Sequence, residues 1–412
     1  MKVLHLNTFD IIGGAARAAY RLHAGLQRIG VDSQMRVARR FSDDPNVHEA
    51  ESTLSRKWAR LRPFISSLPL QFYPDRDGRP FAPQWIGANV ADAVAKADVV
   101  NLHWVCGGFL TPEMIGRIKK PIVWTLHDMW AFTGGCHYAG DCTRYKDSCG
   151  ACPQLGSSRQ RDLSRKVWRR KMRAWDKLDL TLVTPSRWLA ECARQSALFR
   201  SRRIKVIPHC LDTDRYKPLD KTMVREILGL PTDKKIILFG AISTTRDTRK
   251  GFQHLRPALN NLSKCGLDLE VEIVIFGPSR SRNAPDFGIK THYVGRLNDD
   301  ISLALLYATA DVMIMPSQEE AFGQTASEAI ACGTPVVTFD STGLRDIVDH
   351  KINGYRAECY KSDDLARGIA WVLQDEQRWQ LLSRQARRKA ENAFAPEIVA
   401  QRYADLYKEV VG

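Results

Sequence analysis

The chain has 412 residues, of which 61 are basic and 46 acidic, so its formal net charge is +15; 44% of the residues are hydrophobic. These values are ordinary for a globular protein, so they exclude a disordered or collagen-like chain, and the length predicts two or more domains. The excess of positive charge favours an anionic partner, which nucleic acid, an acidic membrane surface or a phosphorylated substrate would each satisfy.

The first half of the chain alternates strand patterns with helical patterns. The segment VLHLNT (3–8) predicts a buried strand, and Gly13 and Gly14 form a turn before the predicted helix AARAAYRLHAGLQRIG (15–30). Further buried strands are predicted at 97–104, 121–128 and 180–186. Alternation of this kind predicts a parallel sheet covered by helices.

The distribution of apolar residues predicts where the protein works. No stretch approaches about 18 consecutive apolar residues, and the opening MKVLHLN alternates like a strand instead of forming the apolar block of a signal peptide. We therefore expect a cytoplasmic protein, in which cysteines are more often thiols or metal ligands than disulfides.

Four cysteines cluster in the turn-rich segment TGGCHYAGDCTRYKDSCGACPQL, at Cys136, Cys142, Cys149 and Cys152. Four thiolates are the ligand number of a structural zinc site, and Cys149-x-x-Cys152 has half-site spacing. Two alternatives are reduced thiols packed within a loop and redox or disulfide chemistry. We expect a structural zinc here and assign the cluster no catalytic role.

A strongly basic segment follows at 159–177, where nine Lys or Arg residues stand against two Asp. Val167, Trp168 and Trp175 fall near one face of the predicted helix, and the segment RKWARLR (56–62) repeats the same mixture. A basic amphipathic helix with tryptophans can rest on an anionic membrane surface, or it can be docked on the protein with a solvated basic face. Two such segments favour membrane attachment of the first domain.

The second half of the chain repeats the alternating pattern. Strands are predicted at 235–242, 269–277, 291–295, 311–317 and 334–340. The intervening VIPHCLDTDRYKPLD (206–220) predicts the interdomain connection, which places the first domain at 1–209 and the second at 210–412. Helix-favouring residues beyond about 362 predict terminal helices that complete the second domain. We expect a doubly wound α/β protein whose two sheets bind ligands in a cleft at the carboxyl ends of their strands.

Two glutamates stand eight positions apart after the predicted strand 311–317, in EAFGQTASE (320–328). If a helix begins near Gly323, Glu320 lies in the loop before it and Glu328 projects from the helix after its first turn. A helix N-terminus suits a diphosphate, while carboxylates suit sugar hydroxyls, so the pattern predicts a nucleotide-sugar site. The alternative is an ordinary helix start with acidic residues.

Three further candidates follow predicted strands. Lys250, in TRKGF after the strand 235–242, can neutralise phosphate, Gly13 and Gly14 allow close approach of the backbone to a ligand, and His127 can exchange hydrogen bonds with hydroxyls. Alone, each of these is as readily a surface lysine, a turn or a structural histidine.

The glutamate pair and its surroundings resemble the retaining glycosyltransferases of group 1, or family 4, which have the GT-B fold. Their E-x7-E signature is matched by Glu320 and Glu328, with Phe-Gly after the first glutamate and Glu-Ala, Gly and Pro-Val-Val following the second. The resemblance extends over essentially the whole chain, closest to bacterial enzymes that build exopolysaccharide or O-antigen units. It implies two Rossmann-like domains that face each other across a cleft, with the acceptor bound by the first and the donor by the second.

The resemblance also implies roles for individual residues. Glu328 would hold the ribose hydroxyls of the donor, Glu320 would lie beside the transferred sugar, and Lys250 would bind the diphosphate. His127 would contact the transferred sugar or acceptor. The remaining donor-pocket residues would be Gly13, Gly14, Arg249, Phe322, Gly323, Gln324 and Thr325. The family usually has an arginine after the strand glycine, where this chain has Ala241, and Arg246 or Arg249 is the candidate substitute.

The function expected from these observations is transfer of a hexose, with retention, from a nucleotide diphosphate sugar to a lipid-linked oligosaccharide in cell-surface polysaccharide synthesis. We expect no cofactor or metal in catalysis, no nucleic-acid partner, and a location on the inner face of the plasma membrane. One alternative is an epimerase or a sugar phosphorylase on the same fold. Another is a basic nucleic-acid-binding protein, although the chain has neither zinc-finger spacing with paired histidines nor an aromatic RNA-binding motif.

Overall fold

The computed structural model describes residues 1–240, 247–262, 270–277, 286–297 and 299–412. The chain divides into two compact units: the first comprises Met1–Cys210 together with Pro396–Gly412, and the second comprises Leu211–Ala395. The division after Cys210 lies one residue from the domain boundary predicted from the sequence.

The first unit is built on a parallel sheet. Its strands are β1 (Lys2–Phe9), β2 (Asp32–Arg39), β3 (Val47–His48), β4 (Val99–Leu102), β5 (Ile122–Thr125), β6 (Leu180–Thr184) and β7 (Arg203–Val206). Its helices up to Cys210 are α1 (Gly14–Arg28), α2 (Thr53–Ser67), α3 (Ala91–Ala95), α4 (Pro112–Gly116), α5 (Leu163–Trp175) and α6 (Arg187–Gln195). The strand order is β3-β2-β1-β4-β5-β6-β7, so the chain reverses its direction across the sheet between β1 and β4. Such a reversal opens a crevice at the carboxyl ends of the two strands.

The second unit repeats this design in its described residues. Its strands are β8 (Lys235–Gly240), β9 (Val271–Phe276), β10 (Thr291–Gly295), β11 (Val312–Met315), β12 (Val336–Phe339) and β13 (Gly354–Ala357). Its helices are α7 (Lys221–Ile227), α8 (Phe252–Asn260), α9 (Asp300–Thr309), α10 (Gln324–Ala331), α11 (Ser362–Leu373) and α12 (Glu376–Phe394). The order is β10-β9-β8-β11-β12-β13, and the reversal falls between β8 and β11.

The central strands of the second unit are apolar on both faces. In β8, Ile236 and Leu238 pack into one buried cluster, while Ile237 and Phe239 pack into another on the opposite face. Successive side chains of a strand point to opposite faces, so a sheet covered on both sides by helices requires a continuous apolar run. This requirement explains why KIILFG was recognisable in the sequence.

The last helix, α13 (Pro396–Val411), belongs to the first unit, whereas the sequence placed all terminal helices in the second domain. Tyr407 accepts a hydrogen bond of 2.6 Å from the side-chain amide of Asn101 in β4, and the hydroxyls of Tyr403 and Thr125 are 3.1 Å apart. All of these side chains are buried. The helical pattern was predicted correctly, but polar contacts with another part of the chain determine which sheet the helix covers.

Helix α5 is docked on the protein, so its tryptophans do not form the membrane-binding face predicted for 159–177. Val167, Trp168 and Trp175 are buried. Lys171 is also buried, and its ammonium donates hydrogen bonds to the carbonyl oxygens of Trp130 and Thr133. An amphipathic pattern does not distinguish a helix that covers a protein core from one that covers a lipid surface, and here the core is covered.

Helix α2, which contains the second basic segment, has the opposite character. Along α2 and the short 3-10 helix Leu68–Phe72, large apolar side chains are exposed at spacings of three or four residues: Leu54, Trp58, Leu61, Phe64, Leu68 and Phe72. Arg56, Lys57 and Arg60 are exposed beside them. Among the described residues, no helix combines the length and apolar character needed to cross a bilayer.

Four strands were not recognised in the sequence, namely β2, β3, β7 and β13. Strand β2 alternates buried and partly exposed residues, β7 lies at the sheet edge with no fully buried residue, and β13 is a short edge strand. None of these strands is a continuous apolar run: β3, β7 and β13 lie at sheet edges that are open to solvent, and β2 alternates apolar with polar residues. Parts of the predicted strands 235–242 and 269–277, namely 241–242 and 269, lie outside the described residues.

Candidate active site

The glutamate pair lies where the second sheet reverses direction. Strand β11 ends at Met315, a loop carries Glu320, and α10 begins at Gln324 with Glu328 after its first turn. Both glutamates are buried, with exposed fractions of 7% and 3%. A buried carboxylate requires partners, and the two glutamates have different ones.

Glu320 is paired with Lys250. Oε1 of Glu320 accepts a hydrogen bond of 2.5 Å from the lysine ammonium. The backbone N–H of Glu320 donates to the hydroxyl oxygen of Thr342. Burial favours the neutral acid, but the charges of Lys250 and Arg249 outweigh it, so the pKa of Glu320 lies below its ordinary value. The carboxylate of Glu320 is therefore ionised at neutral pH. It lies beside the ammonium of Lys250, a residue in the segment that follows β8.

The glycine after Lys250 explains how this lysine reaches Glu320. Gly251 has a φ of 72°, and a Cβ at this position would collide with the carbonyl of Pro316, just beyond the end of β11. Only glycine permits this backbone conformation together with such close approach. The Lys-Gly motif thus places the lysine against the loop that carries Glu320.

Glu328 accepts a hydrogen bond of 2.9 Å from the hydroxyl of Tyr307, a fully buried residue of α9. Burial, then the neighbouring charge of Glu328, raises the pKa of Tyr307 well above its ordinary value, so the hydroxyl stays a donor at neutral pH. Sequence reasoning missed Tyr307, because nothing in its local pattern distinguishes it from a core aromatic residue. The tyrosine holds one carboxylate oxygen of Glu328 in a fixed direction.

The start of α10 has no side-chain cap. The N-cap residue is Gly323, with a φ of 106°, and a Cβ there would lie 2.5 Å from Leu344. The positive end of the helix dipole is therefore not complemented by a capping side chain. Phe322 packs edge-to-face on Phe394 in the core, so only its backbone can line a pocket, while Gln324 and Thr325 are half-buried.

Arg249 is engaged with its own loop. Its guanidinium donates a hydrogen bond of 3.0 Å to the carbonyl of Glu319 and one of 2.9 Å to the carboxylate of Asp247. These contacts link the 3-10 helix Thr248–Lys250 to the loop before α10. Ala241, which stands where the family usually has an arginine, lies outside the described residues. So does Arg246, the other candidate substitute for that arginine.

The predicted residues of the first unit follow neighbouring strands. Gly13, with a φ of 95°, and Gly14 are exposed at the start of α1, just after β1. His127 follows β5. The structure thus places all three at the carboxyl end of the first sheet.

His127 is half-buried and contacts two buried histidines that the sequence did not reveal. Its Nε2 lies 3.1 Å from Nδ1 of His103, which follows β4, and its ring stacks on His209 with centroids 4.9 Å apart. Burial lowers the pKa of His127 to about 4, with Asp128 opposing the shift, so the imidazole is neutral at pH 7. A neutral imidazole can accept one hydrogen bond and donate another.

Asp128, which follows β5, connects the cysteine-rich segment to the carboxyl end of the first sheet through hydrogen bonds. One carboxylate oxygen of Asp128 accepts a hydrogen bond of 2.6 Å from Nδ1 of His137 and another of 3.1 Å from the indole N–H of Trp104. Burial favours the neutral acid, but His137 and the N–H of Trp130 outweigh it and hold the pKa of Asp128 below its ordinary value. Nothing in the sequence indicated a role for His137, since its contact with Asp128 depends on the path of the cysteine-rich segment.

The four cysteines line one cavity, together with Phe81 and Tyr145. Burial raises the pKa of Cys149 to about 12 and that of Cys136 further still, and neighbouring thiols add to the shift of Cys136. In the part of the chain that the structure describes, no group of three or more His, Cys, Asp or Glu side chains is placed so that it could hold a metal ion. The thiols converge but do not form a metal centre as placed, so the structural zinc stays a prediction.

The fold consists of two doubly wound units, and the second unit holds two buried carboxylates and a lysine beside the start of a helix. These features are typical of one class of protein. The family comparison agrees with this class. Residues 12–215 match the model for glycosyltransferase family 4, and residues 220–392 match the model for glycosyl transferases of group 1. The chain belongs to the group 1, or family 4, glycosyltransferases.

Several curated proteins are similar in sequence. A D-inositol 3-phosphate glycosyltransferase of Thermobispora bispora is 28% identical over 77% of this chain and 71% of its own length. The protein of that name from Xylanimonas cellulosilytica is 32% identical over 50% of this chain and 51% of its own. An N-acetyl-alpha-D-glucosaminyl L-malate synthase of Bacillus anthracis is 22% identical over 51% and 55%. The chain thus spans about half the length of several relatives that it matches.

Solved structures show the same fold. A sucrose-phosphate synthase from Thermosynechococcus elongatus superposes with a TM-score of 0.67 and 17% identity, covering 100% of this chain and 99% of that one. Anabaena HepE, solved with UDP and glucose, has a TM-score of 0.64 and 17% identity, with 99% of both chains covered. These likenesses confirm the GT-B fold class.

Proposed function

We propose that the protein is a retaining hexosyltransferase that uses a nucleotide diphosphate sugar. The observation that carries this proposal is the arrangement around α10, where Glu320 is paired with Lys250 and Glu328 is held by Tyr307 beside an uncapped helix start. Family membership supports it, as do the solved structures of HepE with UDP-glucose. In this proposal the second unit holds the donor and the first unit binds the acceptor.

The proposed chemistry assigns each group one task. Lys250 and the start of α10 neutralise the diphosphate, Glu328 accepts hydrogen bonds from ribose hydroxyls, and Glu320 lies beside the hexose. The bond between the anomeric carbon and the diphosphate breaks as the acceptor hydroxyl attacks from the same face. The acceptor proton passes to the departing phosphate oxygen. Catalysis then depends on positioning and on stabilisation of the developing negative charge.

His127 is proposed to bind a hydroxyl of the transferred sugar or the acceptor. Its neutral imidazole is suited to this role because it adds no positive charge beside a sugar centre that itself becomes positive. Gly13 and Gly14 are proposed to bring the backbone at the start of α1 close to the ligand.

For the acceptor, we propose a lipid-linked glycan of cell-surface polysaccharide synthesis. The observation that favours it is the exposed apolar face of α2 with its basic neighbours, which suits the surface of an anionic leaflet. In this proposal the protein lies at the inner face of the plasma membrane. The names of the relatives favour a second candidate, a small anionic acceptor such as inositol phosphate or malate.

The donor is identified by offering UDP-, GDP- and ADP-sugars to the purified protein and measuring hydrolysis and thermal shift. We expect one nucleotide to stabilise the protein and its sugar to be turned over, with the activity retained in EDTA. Lipid-linked glycan and inositol phosphate are then offered as acceptors in parallel, and the anomeric configuration of the product is determined by NMR. Inversion of configuration, or activity that EDTA abolishes, would contradict the proposed mechanism.

A further inference from the structure

Three histidines of the first unit, of which His5 and His103 are buried and His127 is half-buried, form a continuous row of closely spaced nitrogen atoms. Nδ1 of His5, in β1, lies 2.9 Å from Nε2 of His103, and Nδ1 of His103 lies 3.1 Å from Nε2 of His127. The order β1-β4-β5 makes the three strands neighbours in the sheet, so one residue from each contributes to the row. The row runs from the sheet interior to the carboxyl edge, where His127 is placed.

The two terminal nitrogens of this row are distinct from the four internal ones. Nε2 of His5 and Nδ1 of His127 are buried, and neither has a hydrogen-bond partner among the described residues. A buried polar atom without a partner costs free energy unless a ligand or water satisfies it. Nδ1 of His127, at the edge of the sheet, is therefore the end of the row at which a ligand hydroxyl would complete the hydrogen bonding.

The internal links constrain the protons. Burial lowers the pKa values of His5 and His103, which the neighbouring histidines lower further, so these rings are neutral like His127 at pH 7. A neutral imidazole carries one proton on one of its two nitrogens. Each link needs one donor and one acceptor, so all three rings carry the proton on Nε2 or all three carry it on Nδ1. The tautomer of one ring thus fixes that of the others.

We propose that His5 and His103 are positioning residues that couple the tautomer of His127 to their own, so that the row as a whole decides whether Nδ1 of His127 accepts from or donates to a hydroxyl of the bound sugar or acceptor. This inference rests on the proposed function for the identity of the ligand. A fixed tautomer means that no rearrangement of protons is needed when the hydroxyl arrives, since His127 already presents the required lone pair or N–H.

The test uses two substitutions of the middle ring. His103→Phe fills similar space but breaks both links, whereas His103→Gln keeps one donor and one acceptor in a single amide and can reconnect the neighbours. Nitrogen-15 spectra of histidine-labelled full-length protein report the tautomer of His127, with its signals assigned from a His127→Gln sample. We expect one tautomer of His127 in the wild type and in His103→Gln, and a mixture in His103→Phe.

Kinetics provide the second readout. We expect His103→Phe to lower kcat about five- to tenfold, the effect of one lost hydrogen bond, with little change in the KM of the donor, and His103→Gln to recover most of the loss. An unchanged single tautomer of His127 in His103→Phe would overturn the inference, as would equal kcat losses in both variants. Absence of transfer by the wild type, with its spectra showing one tautomer, would instead refute the proposed function and leave the coupling of the three rings established.

Discussion

At the scale of single residues, the two glutamates differ in their partners and should differ in their roles. Glu328→Gln keeps an oxygen for Tyr307 but loses the charge proposed to hold ribose, a group present in donor and product alike. We expect the affinity for the free nucleoside diphosphate to fall about tenfold to a hundredfold. Glu320→Gln should lower kcat while leaving that affinity nearly unchanged, because its proposed partner is the sugar during transfer.

Calorimetry with the nucleoside diphosphate and steady-state kinetics compare these two variants directly. Equal losses of nucleotide affinity in both, or undiminished transfer by Glu320→Gln, would show that the assigned division of roles is wrong.

The buried histidines should make the first unit sensitive to acid. Burial lowers the pKa of His127 to about 4 and also lowers those of His5, His103 and His209. Between about pH 6.5 and 4 the unfolded chain therefore binds more protons than the folded one, and the free energy of unfolding decreases as pH falls, by about 1.4 kcal/mol per pH unit for each such histidine. Urea unfolding at pH 7 and pH 5.5 measures the decrease. His103→Phe, which lacks one of these rings, should show a shallower dependence.

The clustered thiols should react slowly in the folded protein. With the pKa of Cys149 raised to about 12 by burial, its thiolate fraction at neutral pH is about a thousandfold below that of an ordinary cysteine. We expect iodoacetamide to alkylate Cys149 much faster in urea than in buffer, as read by mass spectrometry. Rapid native alkylation would contradict this environment. Elemental analysis of the same sample tests the predicted zinc, since about one zinc per chain would mean that the thiols are coordinated thiolates.

At the scale of elements, α2 and α5 provide a matched comparison, because both are basic but α2 exposes a row of large apolar side chains, whereas α5 exposes Met172 alone. The double substitution Leu61→Ser and Phe64→Ser on α2, where these side chains are 54% and 64% exposed, should lower binding to anionic liposomes about tenfold. Met172→Ser on α5 removes a side chain that is 41% exposed and should have little effect. Co-sedimentation at moderate salt measures both. Equal binding by all three proteins would mean that α2 does not contact lipid.

Much of the fold and of the candidate site in the second unit follows from the sequence. Buried strands such as β8 and β11 are continuous apolar runs, and Lys250, Glu320 and Glu328 lie in short motifs directly after them. The contacts that complete the sites join residues distant in the chain. Examples are Tyr307 with Glu328 and His103 with His127. Such pairs depend on strand order and helix placement, which local periodicity does not specify.

At the scale of the whole molecule, α13 should contribute to the stability of the first unit. Tyr407→Phe removes the acceptor for the buried amide of Asn101, and we expect the free energy of unfolding to decrease by about 1–3 kcal/mol. Lys408→Ala changes a neighbouring side chain that is 70% exposed and should alter stability by less than about 0.5 kcal/mol. Urea titration followed by tryptophan fluorescence compares the two. A loss of similar size in both variants would indicate that the hydroxyl contact is not what stabilises the helix.

The return of α13 to the first sheet also sets an order of events during synthesis. A ribosome that has completed residues 1–210 has not yet made the helix whose tyrosines bind Asn101 and Thr125, and it must translate all of Leu211–Ala395 before that helix exists. Domains usually fold from the N-terminus as they emerge. In this chain the nascent first unit therefore keeps the apolar face that α13 packs against uncovered until the whole second unit has been translated.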